Sequence, residues 1–169
     1  MNASELLITG IPGSSKSTFC RWLRDNHGFA FVNMESEPSS SESLDAANLR
    51  FAWEAGLACG DLGEFVEGVR SKAPIVLEWG FPVGSSKIVF ALIHAGIEGW
   101  WFDGDRLTAR ERFVERNTVP VISFDLQYQN ISGNWSLIEK MFRNRVIKAA
   151  QSDGSILPPE KIFQIIKGT

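Results

Sequence analysis

The sequence predicts an α/β domain built on a mostly parallel β-sheet that is covered by helices on both faces. Five short apolar segments alternate along the chain with segments of helical composition. Strands that are apolar on both sides need cover on both sides, which is the arrangement of parallel sheets in α/β proteins. The length of 169 residues fits one such domain over 1–169, and we find no internal repeat and no interdomain linker.

The predicted elements follow one another in regular alternation. The strands are short apolar runs, at 6–9, 29–33, 74–78, 97–102 and 146–150. The helices are longer segments of mixed polarity, at 18–27, 44–58, 62–71, 86–95, 106–116, 135–142 and 159–166.

Local signals support several of these helix ends. Gly28 and Gly96 follow the first and the fourth helix, where glycine commonly ends a helix. Asp61 is a suitable N-cap for the third helix. Pro158 and Pro159 stand at the start of the last helix, because proline fits the first helical turn.

Two segments carry weaker signals. Segment 35–43 contains Pro38 and five serines, which predicts a mobile loop. Segment 119–134 begins with the composition of a strand and ends in a Gln- and Asn-rich stretch that is typical of a loop.

The composition of the chain argues against several classes of protein. The formal net charge of −3 argues against wholesale binding to nucleic acid. No apolar run approaches the roughly 20 residues that span a bilayer. The two cysteines, Cys20 and Cys59, show no metal-type spacing, and the first residues lack the basic region of a signal peptide. These features predict reduced thiols and a cytoplasmic protein without a membrane partner.

Residues 10–18, which read G-I-P-G-S-S-K-S-T, form the strongest motif. A strand, a Gly-rich loop, Lys-Ser and a helix in this order are typical of a phosphate-binding P-loop of Walker A type. Gly10 and Gly13 permit the turn, and the loop's backbone N–H groups, including those at Ser14, Ser15 and Thr18, would surround phosphate. Lys16 would reach the β- and γ-phosphates, and the Ser17 hydroxyl would bind Mg²⁺.

Ser15 departs from the usual P-loop pattern. It stands where G-x-x-x-x-G-K-[ST] has its second glycine. If φ is positive there, the Cβ of serine costs about 1 kcal/mol. The alternative for the whole loop is an ordinary Gly/Ser turn between a strand and a helix.

Side chains at the ends of two predicted strands are candidates for chemistry. Glu78 ends an apolar strand, from which it could hold Mg²⁺ through water or accept a proton; the alternative is an exposed strand-end carboxylate. Asn33 and Glu35 follow the second strand and could read an acceptor, because ligands in open α/β sheets bind beyond the carboxyl ends of strands. A polar turn is the alternative. Trp79 and Phe81 could wall a substrate pocket, although packing under the next helix is favoured.

Two arginine pairs occupy the helix at 106–116. Arg112 and Arg116 are four residues apart and share one face, which suits a triphosphate. Arg106 and Arg110 form a second pair that points elsewhere. The alternative is a solvated helix on which arginines pair with glutamates.

Together, the P-loop, the strand ending in Glu78 and the Arg112…Arg116 helix resemble the small P-loop kinases, which include gluconate, shikimate and adenylate kinases and the zeta-toxin-like and antibiotic-phosphorylating relatives. The resemblance implies the three-layer P-loop NTPase fold with strand order 2-3-1-4-5, and ATP with Mg²⁺. It also implies that Arg112 lies against adenine, that Arg116 meets the phosphates, that 119–134 is a lid and that 150–154 lies near the adenine.

The predicted function is ATP-dependent transfer of a phosphoryl group to a hydroxyl of a small molecule, with Lys16, Glu78 and Arg116 as catalytic residues. Segments 35–58 and 119–134 would select the acceptor. One alternative is an ATP-binding P-loop NTPase or a nucleotide-binding protein without turnover. Another is a polynucleotide 5′-kinase, which the negative net charge makes less favourable.

Overall fold

The computed structural model describes residues 4–35, 43–80, 83–116 and 120–168. Most of the predicted loop at 35–43, the first residue of segment 119–134, and Phe81 lie outside these ranges. Statements below about the whole chain refer to the described residues.

The sheet has five parallel strands in the order β2-β3-β1-β4-β5. Its strands are β1 (Glu5–Gly10), β2 (Ala30–Asn33), β3 (Ile75–Glu78), β4 (Glu98–Gly104) and β5 (Val146–Ala150). The predicted fold class and strand order are both confirmed. In this register Glu78 lies opposite Asn33 on one side and Ile8 on the other, so that polar strand ends meet at one edge.

The helices connect and cover these strands. They are α1 (Lys16–His27), α2 (Leu44–Cys59), α3 (Gly63–Ser71), α4 (Ser86–His94), α5 (Arg106–Glu115), α6 (Val121–Gly133), α7 (Trp135–Phe142) and α8 (Pro159–Lys167), with a short 3₁₀ turn at Val83–Ser85 before α4.

The strand residues alternate between two apolar cores, one on each face of the sheet. Leu6 and Ile8 of β1 pack on the side of α1 and α8, whereas Leu7 packs on the side of α2 to α7. The adjacent tryptophans of β4 divide in the same way, with Trp100 on the first side and Trp101 on the second. This alternation gives the three layers, and it buries both faces of the sheet as a parallel sheet requires.

The prediction of a strand-like start and a loop for segment 119–134 is wrong, because residues from Val121 onward form helix α6. Phe124 and Ile131, seven residues apart on one helix face, are both buried. The Phe124 ring lies 5.6 Å from the ring of Phe113 on α5. Tertiary packing therefore outweighs the weak helix propensity of the Gln, Asn and β-branched residues.

The start of α3 also differs by one residue from the prediction. The N-cap position is occupied by Leu62, not Asp61. Oδ1 of Asp61 nevertheless accepts a 2.8 Å hydrogen bond from the backbone N–H of Gly63, so that the carboxylate still satisfies a donor in the first turn.

Candidate functional site

The P-loop connects the end of β1 to α1 and lies tightly against β4 and α5. Gly10 has φ 142° and Gly13 has φ 78°. A Cβ at Gly10 would lie 2.0 Å from the carbonyl oxygen of Phe102, and one at Gly13 would lie 1.9 Å from that of Ala109. Both positions therefore need glycine for conformation and for space.

The two serines of the loop, Ser14 and Ser15, also contribute to its conformation. Ser15 adopts the left-handed conformation, with φ 63° and ψ 26°. The buried Ser14 hydroxyl donates a 2.8 Å hydrogen bond to the carbonyl oxygen of Ile11. The serine in place of the usual glycine thus keeps the glycine-type backbone at a cost of about 1 kcal/mol.

Lys16 is the first residue of α1, and its ammonium group is buried within the loop. Its Nζ donates hydrogen bonds to the carbonyl oxygens of Gly10 (3.1 Å) and Ile11 (2.8 Å). Burial lowers the pKa of the Lys16 ammonium, while the carboxylates of Glu78 and Glu35 act in the opposite direction. A buried ammonium beside loop carbonyls is ready to exchange these contacts for phosphate oxygens.

A chain of three polar side chains connects α1 with β3 and β2. The Ser17 hydroxyl donates a 2.5 Å hydrogen bond to Oε1 of Glu78, and the Asn33 amide donates a 3.5 Å hydrogen bond to Oε2. Glu78 is only 6% exposed, so the alternative of an exposed strand-end carboxylate is excluded. A serine hydroxyl and a carboxylate that meet at a P-loop fit the oxygen chemistry that Mg²⁺ prefers.

Residues of the loop and of the first turn of α1 line a cavity of about 590 Å³, which we call the arginine cavity. It is lined by Ser15, Ser17, Thr18, Arg21, Arg112, Glu115, Arg116 and the segment 156–159. Arg112 and Arg116 thus share this cavity with the P-loop, and Arg112 forms a 3.0 Å ion pair with Glu115 at its rim.

Two parts of the arginine cavity were missed by sequence reasoning. Arg21 follows Ser17 by four residues on α1, a spacing that could have revealed their common face. Residues 156–159 line this cavity, whereas segment 150–154, whose place near an adenine stays a prediction, does not. Backbone pairing of Leu157 with Ala149 and a bridge between Ile156 and Ala150 bring residues 156–159 back along β5, which composition does not reveal.

The second arginine pair points elsewhere, as predicted. Arg106 and Arg110 both form ion pairs with Asp125 of α6, at 3.1 and 3.4 Å. They join α5 to α6 and do not line the arginine cavity.

A second cavity, of about 630 Å³, reaches the P-loop at Gly10, and we call it the amide cavity. It is lined by Gly10, Glu35, Gly80, Val83, Gly84, Gln127, Asn130, Ile131, Asn134 and Leu137. The amide side chains of Gln127, Asn130 and Asn134 were not predicted to line a site. Their spacing of three and four residues would have placed them on one face if α6 had been recognised as a helix.

Glu35 is held at the mouth of the amide cavity by its neighbours. Its backbone N–H donates a 2.9 Å hydrogen bond to Oδ1 of Asn33. A Cβ at Gly80 would lie 3.1 Å from Oε2 of Glu35, so the carboxylate lies directly over that glycine.

Trp79 belongs to the core. It is 7% exposed, and its ring meets the ring of Trp53 edge-on at 5.0 Å. It does not line the amide cavity, so the structure supports packing over the proposed substrate contact. Phe81, its predicted companion, is outside the described residues.

The described residues lack two further features. They contain no cluster of three or more His, Cys, Asp or Glu side chains that could hold a metal ion. None of the described helices is both long enough and apolar enough to cross a membrane.

Comparison with known proteins gives matches in structure only. Neither a protein-family model nor a curated protein matches the sequence. A gluconokinase from Sinorhizobium meliloti 1021 has a TM-score of 0.55 at 16% identity, over 96% of this chain and 89% of that one. Shikimate kinase from Bacteroides thetaiotaomicron has 0.54 at 11%, over 96% and 94%. Shikimate kinase from Acinetobacter baumannii, in complex with shikimate, has 0.57 at 14%, over 99% and 94%. The chain therefore has the fold of the small P-loop kinases.

Proposed function

We propose that this protein transfers the γ-phosphoryl group of ATP to a hydroxyl group of a small molecule. The observation that carries the proposal is that residues of one P-loop line two different cavities. Ser15 and Ser17 line the arginine cavity, and Gly10 lines the amide cavity. Lys16, which follows Ser15 in the chain, donates a hydrogen bond to the carbonyl oxygen of Gly10. A phosphoryl donor and an acceptor in the two cavities would meet at this loop.

The arginine cavity supplies groups suited to a nucleoside triphosphate. Loop N–H groups and the start of α1 favour phosphate, and Lys16 gives a positive charge within the loop. Arg112 and Arg116 provide guanidinium groups that suit the charge of the triphosphate. In this arrangement Arg116 steadies the group being transferred, and Arg112 lies nearer to the base.

Ser17 and Glu78 are the residues that would hold Mg²⁺, Ser17 directly and Glu78 through water. When bound, Mg²⁺ neutralises charge on the phosphate oxygens. The short Ser17–Glu78 hydrogen bond keeps both oxygens at one point of the loop.

The amide cavity supplies the acceptor side. The acceptor oxygen forms a bond to the γ-phosphorus, the bond from that phosphorus to the bridging oxygen breaks, and ADP leaves. The hydroxyl proton passes to Glu78 or Glu35, and Glu35 orients the acceptor. The gluconate and shikimate kinases of similar fold phosphorylate small molecules, which supports this division of roles.

The test is ADP release from Mg²⁺-ATP with a broad panel of hydroxyl acceptors. Acceptor-stimulated release should fall by about 10²-fold or more in Lys16→Ala, since a preorganised charge at the transferring group is lost. Lys140→Ala removes an exposed lysine from α7 and is the matched control. If no acceptor stimulates Lys16-dependent release, the proposal is wrong. Tight binding of Mg²⁺-ATP in that case would indicate a nucleotide-binding protein without turnover.

A further inference from the structure

We infer that the acceptor is a polyhydroxylated compound that carries no carboxylate and no phosphate group. This inference rests on the proposed function, because it concerns the second substrate of the same site. It depends on the chemistry of the amide cavity, whose lining residues differ from those of the arginine cavity.

The walls of the amide cavity combine amides with one carboxylate. Gln127, Asn130 and Asn134 are exposed on its α6 side, and Glu35 lies on the sheet side. Each amide can both donate and accept hydrogen bonds, and a carboxylate accepts them, so these groups match hydroxyls that do both. Ile131 and Leu137 add apolar surface for the carbon skeleton.

None of the residues that line this cavity is Lys, Arg or His. The segments outside the described residues, which are 1–3, 36–42, 81–82, 117–119 and 169, contain none of these residue types either. Segment 36–42, which directly follows Glu35 in the chain, instead carries Glu37 and Glu42. Every Lys, Arg and His side chain of the chain is therefore among the described residues.

Arg50 of α2 is buried and does not line the amide cavity. Several cations on other nearby elements serve other contacts. Arg106 and Arg110 are paired with Asp125. Lys148 forms an ion pair with Asp103 and lines a neighbouring cavity, which shares Ile131 with the amide cavity.

Two more lysines lie on α4 and α7. Lys87 of α4 lines another cavity beside α2, and Lys140 of α7 is exposed and does not line the amide cavity. Lys16 is buried in the loop that would hold phosphate.

An anionic acceptor would meet these walls at a disadvantage. Its carboxylate or phosphate would lose water without gaining a cation, and desolvating an unpaired charge is costly. Glu35 would add repulsion, which is stronger near a protein surface than in bulk water. A hydroxyl-bearing neutral compound avoids both costs, and an amine-bearing one would also be attracted by Glu35. The cavity thus selects against anions as much as it selects for hydroxyls.

The position of Glu35 makes this selection effective where the reaction occurs. The backbone N–H of Glu35 is bonded to the Asn33 side chain at the edge of the sheet, and its exposed carboxylate lies beside Gly80. Its charge also acts on Lys16, raising the pKa of that ammonium against the effect of burial. An acceptor anion close enough to receive the phosphoryl group would therefore also be close enough to Glu35 to be repelled.

The experiment compares acceptors that share one carbon skeleton. A hexose, the corresponding hexitol, the 2-amino-hexose, the aldonic acid and the hexose 6-phosphate are tested with Mg²⁺-ATP, and shikimate is added as a cyclic acid. The phosphorylated product is identified by mass spectrometry. The rate of ADP release gives kcat/KM for each acceptor, with Lys16→Ala as the blank. The kcat/KM of the neutral or amino compounds should exceed that of the anionic ones by at least about tenfold. Comparing the 2-amino-hexose with the hexose and the hexitol separates amine-bearing from neutral acceptors.

A variant with a new cation provides the second measurement. Gln127→Arg places a guanidinium on the cavity wall, and Gln129→Arg places one on the same helix outside the cavity. We expect Gln127→Arg to raise the anionic-to-neutral ratio of kcat/KM about tenfold or more and Gln129→Arg to leave it unchanged.

The outcomes separate the two proposals. Lys16-dependent transfer that favours the anionic compounds overturns this inference and leaves the proposed function standing. The inference is also overturned if a folded Gln127→Arg protein shows the wild-type ratio. Absence of Lys16-dependent release with every acceptor overturns the proposed function, and this inference with it.

Discussion

The hydroxyl of Ser17 and the carboxylate of Glu78 are joined by a 2.5 Å hydrogen bond that connects the first turn of α1 to the end of β3. The two residues are 61 positions apart, and the pairing of β1 with β3 brings them together. A hydrogen bond to an ionised acceptor is short and strong, which fits this distance. The Asn33 amide holds the second oxygen of the same carboxylate.

Glu78→Gln should leave the fold intact and impair transfer. The amide keeps the size of the side chain but loses the negative charge that would hold Mg²⁺ and its waters. We expect kcat to fall by about 10²-fold, with a higher Mg²⁺ concentration needed for half-maximal rate. Steady-state kinetics over a Mg²⁺ titration measures both effects. Glu64→Gln, on the exposed side of α3, is the matched control, and equal kinetics for the two variants would contradict the role of Glu78.

Arg116→Met should reduce the rate more than it weakens ATP binding. Arg116 lines the arginine cavity beside the P-loop, where a guanidinium would stabilise charge on the transferring group. We expect a loss in kcat of about 10²- to 10³-fold. Arg112→Met should act mainly on the KM for ATP, since we place Arg112 nearer to the base. Arg24→Met, at the exposed end of α1, controls for loss of an arginine; a wild-type kcat in Arg116→Met would refute the assignment.

Much of this arrangement could be predicted from local sequence. Glu78 ends an apolar run, and the P-loop motif fixes the order of Gly10, Lys16 and Ser17, so the polar groups of the sheet edge could be placed before their contacts were known. The contacts depend on register and packing. Asn33 contacts Glu78, and does not simply face an acceptor, because β2 pairs with β3. Composition carries no information on this pairing.

The amide cavity was harder to predict for a physical reason. The residues of helix α6 have a low intrinsic helix propensity. The helix is stabilised by contacts with α5, which its own sequence pattern does not reveal. The tilted ring contact of Phe113 with Phe124 and the ion pairs of Asp125 provide those contacts. Without the helix, Gln127, Asn130 and Asn134 do not share a face, and the amide cavity has no wall on that side.

Gly13→Ala should destabilise the protein by about 2–4 kcal/mol, because strain and a backbone clash add. The new Cβ would lie 1.9 Å from the carbonyl oxygen of Ala109, so that α5 and its arginines would be displaced from the loop. Gly60→Ala is a matched control, since Gly60 has the same φ of 78° and no atom within 4 Å of its Cβ position. That control should cost only about 1 kcal/mol. Urea unfolding of both variants measures the difference, and equal costs would show that the loop does not press on α5.

Ser15→Gly should preserve or improve ATP binding. The left-handed backbone at φ 63° is strained for serine and relaxed for glycine, a gain of about 1 kcal/mol that the greater freedom of glycine in the unfolded chain partly offsets. Calorimetric titration with Mg²⁺-ATP gives the affinity, and thermal unfolding gives the stability. A clear loss of affinity in both Ser15→Gly and Ser15→Ala would mean that the hydroxyl itself contacts the nucleotide.

The buried ammonium of Lys16 should make stability depend on pH in a defined direction. Burial lowers the pKa of Lys16 in the folded protein below its ordinary value of 10.5. Between these two pKa values the unfolded chain holds the proton and the folded protein does not, so stability rises with pH in that window. Below the window both states are protonated, and the cost of burying the charge is present in full.

Lys16→Met removes this cost at every pH. We therefore expect the variant to be more stable than wild type at pH 7, and the difference to shrink as pH rises toward 10.5. Urea unfolding of the nucleotide-free protein in steps from pH 7 to pH 10 measures it, with Lys140→Met as the control for loss of an exposed lysine. A difference that grows with pH would contradict this reasoning. Keeping a charged lysine among the loop carbonyls lowers the stability of the protein. Such a cost is expected at a site where the lysine gains its partner only when phosphate binds.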